Sequence, residues 1–134
     1  MRFSDVELGD ELPETHPDIS MDKVRLFVKA AGMNFPRFTD HEFARNEGLP
    51  GAIVPGVMSQ GFLAAMIHQW APGAKIHKLD TVFRSTMVVD TSATCRGAVT
   101  DLDEEHHLVE IDLTMLGADG VTAVIGTASV EIAD

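Results

Sequence analysis

Cysteine is nearly absent: Cys95 is the one thiol in 134 residues, so no internal disulfide can form. That fits a reducing compartment, and a free cysteine in an apolar run reads first as a packing residue. Tyrosine is missing altogether. No apolar stretch approaches the ~20 residues that span a bilayer, so no membrane association is expected. The opening MRFSDVELGDELPE is acidic and has no apolar signal core, so the cytoplasm is the expected location. Positive charge is scarce too, 10 Lys and Arg against 21 Asp and Glu, a formal net charge of −11. Nucleic acid and anionic membranes both need a basic footprint, and neither is an expected partner.

The few cations are unevenly placed. Lys23, Arg25, Lys29, Arg37 and Arg45 lie in the first third, and none follows Arg96. An anionic ligand would therefore meet the first third of the chain. Arg25 and Lys29, four apart on a helix, form either a solvated face or a phosphate-facing pair.

What the chain has in quantity is turn chemistry between Ala31 and Gly61. Three of its six prolines (Pro36, Pro50, Pro55) fall there, and Gly51 and Gly56 follow two of them directly. Such a segment between good helix formers is expected to carry function on a rigid scaffold.

Around it the periodicities predict a single α+β domain over residues 1–134. A short strand is expected near Glu11–His16. Ser20 then caps a helix carrying Val24, Phe27, Val28 and Ala31, which Gly32 ends. A second short helix spans about Asp40 to Asn46, with Thr39 and Glu42 at capping-box spacing. The longest helical pattern starts at Pro55–Gly56, with Met58, Phe62, Met66, Ile67 and Trp70 on one face, and stops at Pro72–Gly73. It is apolar on most sides, so it is buried. The period then falls to two, giving strands around Leu79–Val89, Ser92–Leu102, Val109–Met115 and Val121–Ile132. An antiparallel sheet wrapped around one long central helix is the hot-dog fold.

From Gly32 to Met58 the sequence resembles the MaoC-like (R)-specific enoyl-thioester hydratases and dehydratases. Their run G-D-x-N-P-x-H-x-D-x-x-x-A-x-x-x-G is met by Gly32, Pro36, Asp40, Ala44 and Gly48. Their P-I-x-H-G-like turn is met by Ile53 and Gly56. Phe83–Arg84, Val89–Asp90–Thr91, Asp119–Gly120 and Gly126–Thr127–Ala128 continue the likeness. The resemblance implies an acyl-thioester ligand, on coenzyme A or a carrier protein, no cofactor and no metal. It also implies pairing through the sheets, as a homodimer or as a heteromer with another hot-dog subunit.

The chemical positions depart from that pattern. Met33 stands at the catalytic aspartate, Phe38 at the catalytic histidine, Pro55 at the turn histidine and Phe35 at the asparagine. A thioether and a phenyl ring cannot take and return the proton that hydration needs. Candidate substitutes are Asn34, which could orient a water, and Asp40, His41 and Glu42. His68, His106–His107, His16 and His77 offer no catalytic or metal spacing. The binding half is retained: Gly56 opens the central helix, whose free N–H groups can take a carbonyl oxygen. Val54, Pro55, Val57 and Met58, joined by Met33, Phe35 and Phe38, are expected around the acyl group, or else they are ordinary packing residues. The functional expectation is an acyl-thioester-binding protein of the enoyl-CoA hydratase type without the Asp/His pair. The alternatives are a non-catalytic subunit of a heteromeric hydratase, or a hot-dog thioesterase using Asp40 or Glu42.

Overall fold

Val109, Ile111, Leu113 and Met115 alternate with Glu110, Asp112 and Thr114, and each of the four apolar side chains is at most 1% exposed. That alternation is what a strand with one face on a core requires. The computed structural model describes residues 1–134. A single 3-10 turn at Phe3–Asp5 precedes strand β1 (Glu11–Thr15) and helix α1 (Met21–Ala31). Two short helices follow, α2 (Pro36–Thr39) and α3 (His41–Asn46), and then the long helix α4 (Gly56–Trp70). Strands β2 (Lys75–Phe83), β3 (Thr94–Asp103), β4 (Leu108–Leu116) and β5 (Thr122–Glu131) complete the chain.

The five strands form one antiparallel sheet in the order β1-β3-β4-β5-β2. Helix α4 packs against one face of the sheet, as the sequence pattern predicts. Leu63, Met66 and Ile67 of α4 join Ile111, Leu113, Met115, Val124 and Val130 in one core. Gly97 on β3 is small because Met66, Leu12 and Leu113 crowd the space a side chain would fill. Burying each such aliphatic side chain stabilises the fold by roughly 1.5–3 kcal/mol.

Several local expectations hold. Ser20 caps α1 by accepting the Lys23 N–H at 3.4 Å, and Gly32 ends the helix at φ 68°. Cys95 is fully buried, and burial pushes its thiol pKa up. Others need correction. The cap of α3 is Asp40, whose Oδ1 accepts the Phe43 N–H at 3.1 Å, so the box expected from Thr39 and Glu42 does not form. Strand β2 starts at Lys75 and ends at Phe83, earlier at both ends than the apolar run suggests. On α4 Met58, Met66 and Ile67 face inward as expected and Leu63 joins them, while Phe62 and Trp70 are only partly covered. Arg25 spends one guanidinium donor on the Thr39 carbonyl, 3.1 Å away, and so ties α1 to the end of α2.

Candidate functional site

The segment Ala31–Gly61 is built as a staircase of short hydrogen-bonded steps. After Gly32, the Met33 N–H bonds Val28 O at 3.0 Å and the Phe35 N–H bonds Met33 O at 2.8 Å. Phe35 is the N-cap of α2 and Pro36 its first residue, where a missing N–H does no harm. Phe35 and Phe38 meet edge to face, ring centroids 6.1 Å apart. Beyond α3 the backbone is gripped from two sides. Ile53 N–H bonds Arg37 O, while Val54 N–H bonds Met87 O at 2.9 Å and Val89 N–H bonds Ala52 O at 2.8 Å. This ladder fixes the approach of Pro55, the N-cap of α4.

No side chain caps α4. Its first backbone bond is from Ser59 N–H to Pro55 O, 3.2 Å, and the N–H groups of Gly56, Val57 and Met58 have no acceptor in the chain. Gly56 and Val57, at the positive end of the helix dipole, line an open groove of about 390 Å³. Its walls are Phe38, Ile53, Val54, Val57, Phe83, Met87 and Val124, with Ser59, Gln60, Ser85 and Thr86 supplying polar atoms. The volume falls in the range of small-molecule pockets, roughly 300–1,000 Å³. None of its lining residues is titratable.

The structure thus gathers Val54, Gly56, Val57 and Phe38 of the expected residues around one groove. Pro55 is buried at the cap, Met58 points into the core, and Phe35 stands outside against Phe38. Met33 packs half-buried on the core edge. The groove also contains Phe83 at the end of β2, which the sequence marked only through the likeness at Phe83–Arg84 and not as a site residue. A Cβ placed on Gly56 would come within 2.8 Å of the Phe83 ring. Glycine at this helix start is therefore also a close-approach residue, making room for an aromatic from the facing strand.

The candidate substitutes for the base are elsewhere. Asp40 is occupied as the α3 cap, and Asn34 and Glu42 are exposed. His41 is committed at both ring nitrogens: Nδ1 accepts the Ala52 N–H at 3.0 Å, and Nε2 lies 2.9 Å from Asp90 Oδ2. The hydrogen bonds from His41 and from the Met21 N–H hold the Asp90 carboxyl below the usual carboxylate range. The remaining histidines are dispersed: His106 bonds Asp103, His77 bonds Glu131, His16 meets Thr94, His107 stacks on Phe3, and His68 is exposed in the last turn of α4. No group of three His, Cys, Asp or Glu side chains is placed to hold a metal ion. No helix is long and apolar enough to cross a membrane.

Neither a protein-family model nor a curated protein matches the chain. Solved structures do. The chain is similar to the (R)-hydratase from A. caviae involved in PHA biosynthesis, with TM-score 0.90 and 20% identity over 95% of this chain and 97% of that one. It is similar to a MaoC-like dehydratase, with TM-score 0.90 and 25% identity over 98% of this chain and 42% of that longer one. It is also similar to a chain of the ChsH1–ChsH2 complex from Mycobacterium tuberculosis, with TM-score 0.86 and 18% identity over 95% of this chain and 98% of that one. This chain therefore has the hot-dog fold of the (R)-hydratases and MaoC-like dehydratases.

Proposed function

We propose that this protein binds acyl thioesters of the enoyl-CoA hydratase type in the groove at the start of α4 and does not itself hydrate them. The observation that carries the reading is the chemistry of the lining: three unpaired helix N–H groups beside apolar walls, with no titratable side chain among the residues that form it. An acyl tail is accommodated by Phe38, Val54, Val57 and Phe83, and a carbonyl oxygen by the N–H groups. Hydration in addition needs a general base within hydrogen-bond reach, about 2.6–3.2 Å, of a water. Met33 and Phe38 cannot act as one, and His41 has no free ring nitrogen.

The setting we favour is a heteromer, with a second hot-dog chain supplying the missing Asp and His. One structural neighbour is a two-component complex, which supports that arrangement. A homodimer is the alternative. The thioesterase reading is weaker, because Asp40 caps α3 and neither Asp40 nor Glu42 lines the groove. The single buried cysteine suits the reducing cytoplasm as the compartment. Titration with a short acyl thioester, followed by amide chemical shifts, tests the binding claim. Shifts confined to Gly56–Ser59 and to the residues facing them are expected. Saturating shifts elsewhere on the chain, or none at millimolar ligand, would remove the groove from consideration.

A further inference from the structure

We propose that Ser59 is the polar anchor of this groove: its hydroxyl donates a hydrogen bond to the acyl oxygen of the bound ligand, beside the free N–H groups of the first turn of α4. The inference rests on reading the groove as an acyl site and assigns one side chain of that site a role.

Ser59 is the single buried polar residue of the chain, 2% exposed. It nevertheless lines the groove, and its Oγ has no hydrogen-bond partner in the chain. No side-chain polar atom sealed from solvent lacks a partner, so this hydroxyl opens on the groove rather than into packing. A serine inside a helix can turn its hydroxyl back to the carbonyl four residues earlier, alongside the backbone bond there. Pro55 O accepts the backbone N–H of Ser59 at 3.2 Å, as in any α-helix, which leaves Ser59 Oγ to be placed by the groove. The neighbouring Gln60 is already engaged, its Nε2 donating to Thr81 Oγ1 at 2.7 Å. Ser59 is thus left as a deep, unused donor beside an unused helix start.

The ligand chemistry follows from the surroundings. The partner must be an acceptor oxygen carried on an apolar group, because the remaining deep walls are aliphatic and aromatic. No lysine or arginine lines the groove, so a carbonyl oxygen is favoured over a carboxylate, whose charge only the helix dipole would meet. With no base in the lining to take its proton, Ser59 is a donor and not a nucleophile.

The test compares three probes: butyryl-pantetheine thioester, the matching S-butyl thioether that lacks the carbonyl oxygen, and butyrate. The unmodified protein should bind the thioester about tenfold more tightly than the thioether, the size of one or two net hydrogen bonds. Ser59→Ala should weaken the thioester about fivefold and leave the thioether unchanged, while the Val57 and Met58 amides still shift with thioester. Equal affinity of the unmodified protein for thioester and thioether would overturn the proposal, and this holds even if Ser59→Ala fails to fold. Equal weakening of both probes by the substitution, or no weakening of either, would overturn it as well. Tighter binding of butyrate than of thioester, lost in Ser59→Ala, would keep Ser59 as anchor and assign the oxygen to a free acid. Binding of none of the three would remove the acyl reading together with this inference.

Discussion

His41 Nε2 lies 2.9 Å from Asp90 Oδ2, and the opposite nitrogen of the same ring accepts the N–H of Ala52. Because Nδ1 is an acceptor, the proton sits on Nε2 and is donated to the carboxylate. Asp90 Oδ1 takes the Met21 N–H at 2.7 Å, and Asp90 itself holds φ 69°. One histidine and one aspartate therefore lock the start of α1, the start of α3 and the strap leading to Pro55 against one another. His41 serves the position of the groove and not its chemistry.

Removing the ring should loosen that lock. His41→Ala leaves the N–H of fully buried Ala52 without an acceptor, which costs about 1–3 kcal/mol. A lower urea midpoint at unchanged slope is the expected reading.

Acid should act at the other end of the same pair. The folded Asp90 carboxyl titrates below 3.8, its ordinary value, so the unfolded chain binds its proton first as pH falls. Its contribution is fully present above about pH 5 and is lost as pH drops through 3.8 toward the depressed value. Asp90 is half-exposed and screened, so the gap between wild type and Asp90→Asn should stay within about 1 kcal/mol at pH 7. That gap should narrow as pH falls below 3.8 toward the depressed value, as followed by denaturant titrations across the range.

Gly56 and Phe83 should prove coupled. Gly56→Ala drives a methyl into the Phe83 ring, but that side chain is half-exposed and can swing away. A loss of about 1 kcal/mol is expected, and it should shrink in the Phe83→Ala background. Gly126→Ala should be worse, about 2–3 kcal/mol, because its Cβ would meet the backbone oxygen of Asp80 at 2.6 Å. Thermal melts of the four single and double variants measure both effects.

Cys95 should be unreactive while the chain is folded, since burial raises its pKa and denies access. Alkylation at pH 8 should proceed at the rate of unfolding, and rapid modification of native protein would contradict that placement.

The proposed heteromer should survive purification from the source cell. Native mass spectrometry should find this chain with a second hot-dog subunit that carries the Asp and His. Homo-oligomers alone would return the reading to a homodimer.

The fold was legible because the period changes cleanly, from the stripe of α1 to the strict alternation of β4. Helix α4 was legible as buried, yet its phase was not: it is apolar on nearly every side, so nothing in the pattern singles out Leu63 over Phe62. Helix α2 is four residues long, too short for any periodicity to register. The edge strand β2 shows little alternation in burial, which explains the displaced ends. At the site, Val54, Gly56, Val57 and Phe38 could be placed because they lie in one stretch. Phe83 and Met87 arrive from β2 and the turn after it, through pairing that local sequence does not encode. His41 is the instructive case. Its type invited a catalytic role, and only the positions of Ala52 and Asp90 reveal it as a brace.

On the function proposed above, the groove at the start of α4 keeps the binding half of a hydratase site without its catalyst. Incubating the purified chain with a crotonyl thioester, and following loss of the enoyl absorbance, tests it most directly. The wild type should show no turnover above the buffer rate, with measurable hydration in Met33→Asp/Phe38→His. Hydration by the unmodified homogeneous chain at an ordinary enzymatic rate, about 1–10³ s⁻¹, would contradict it.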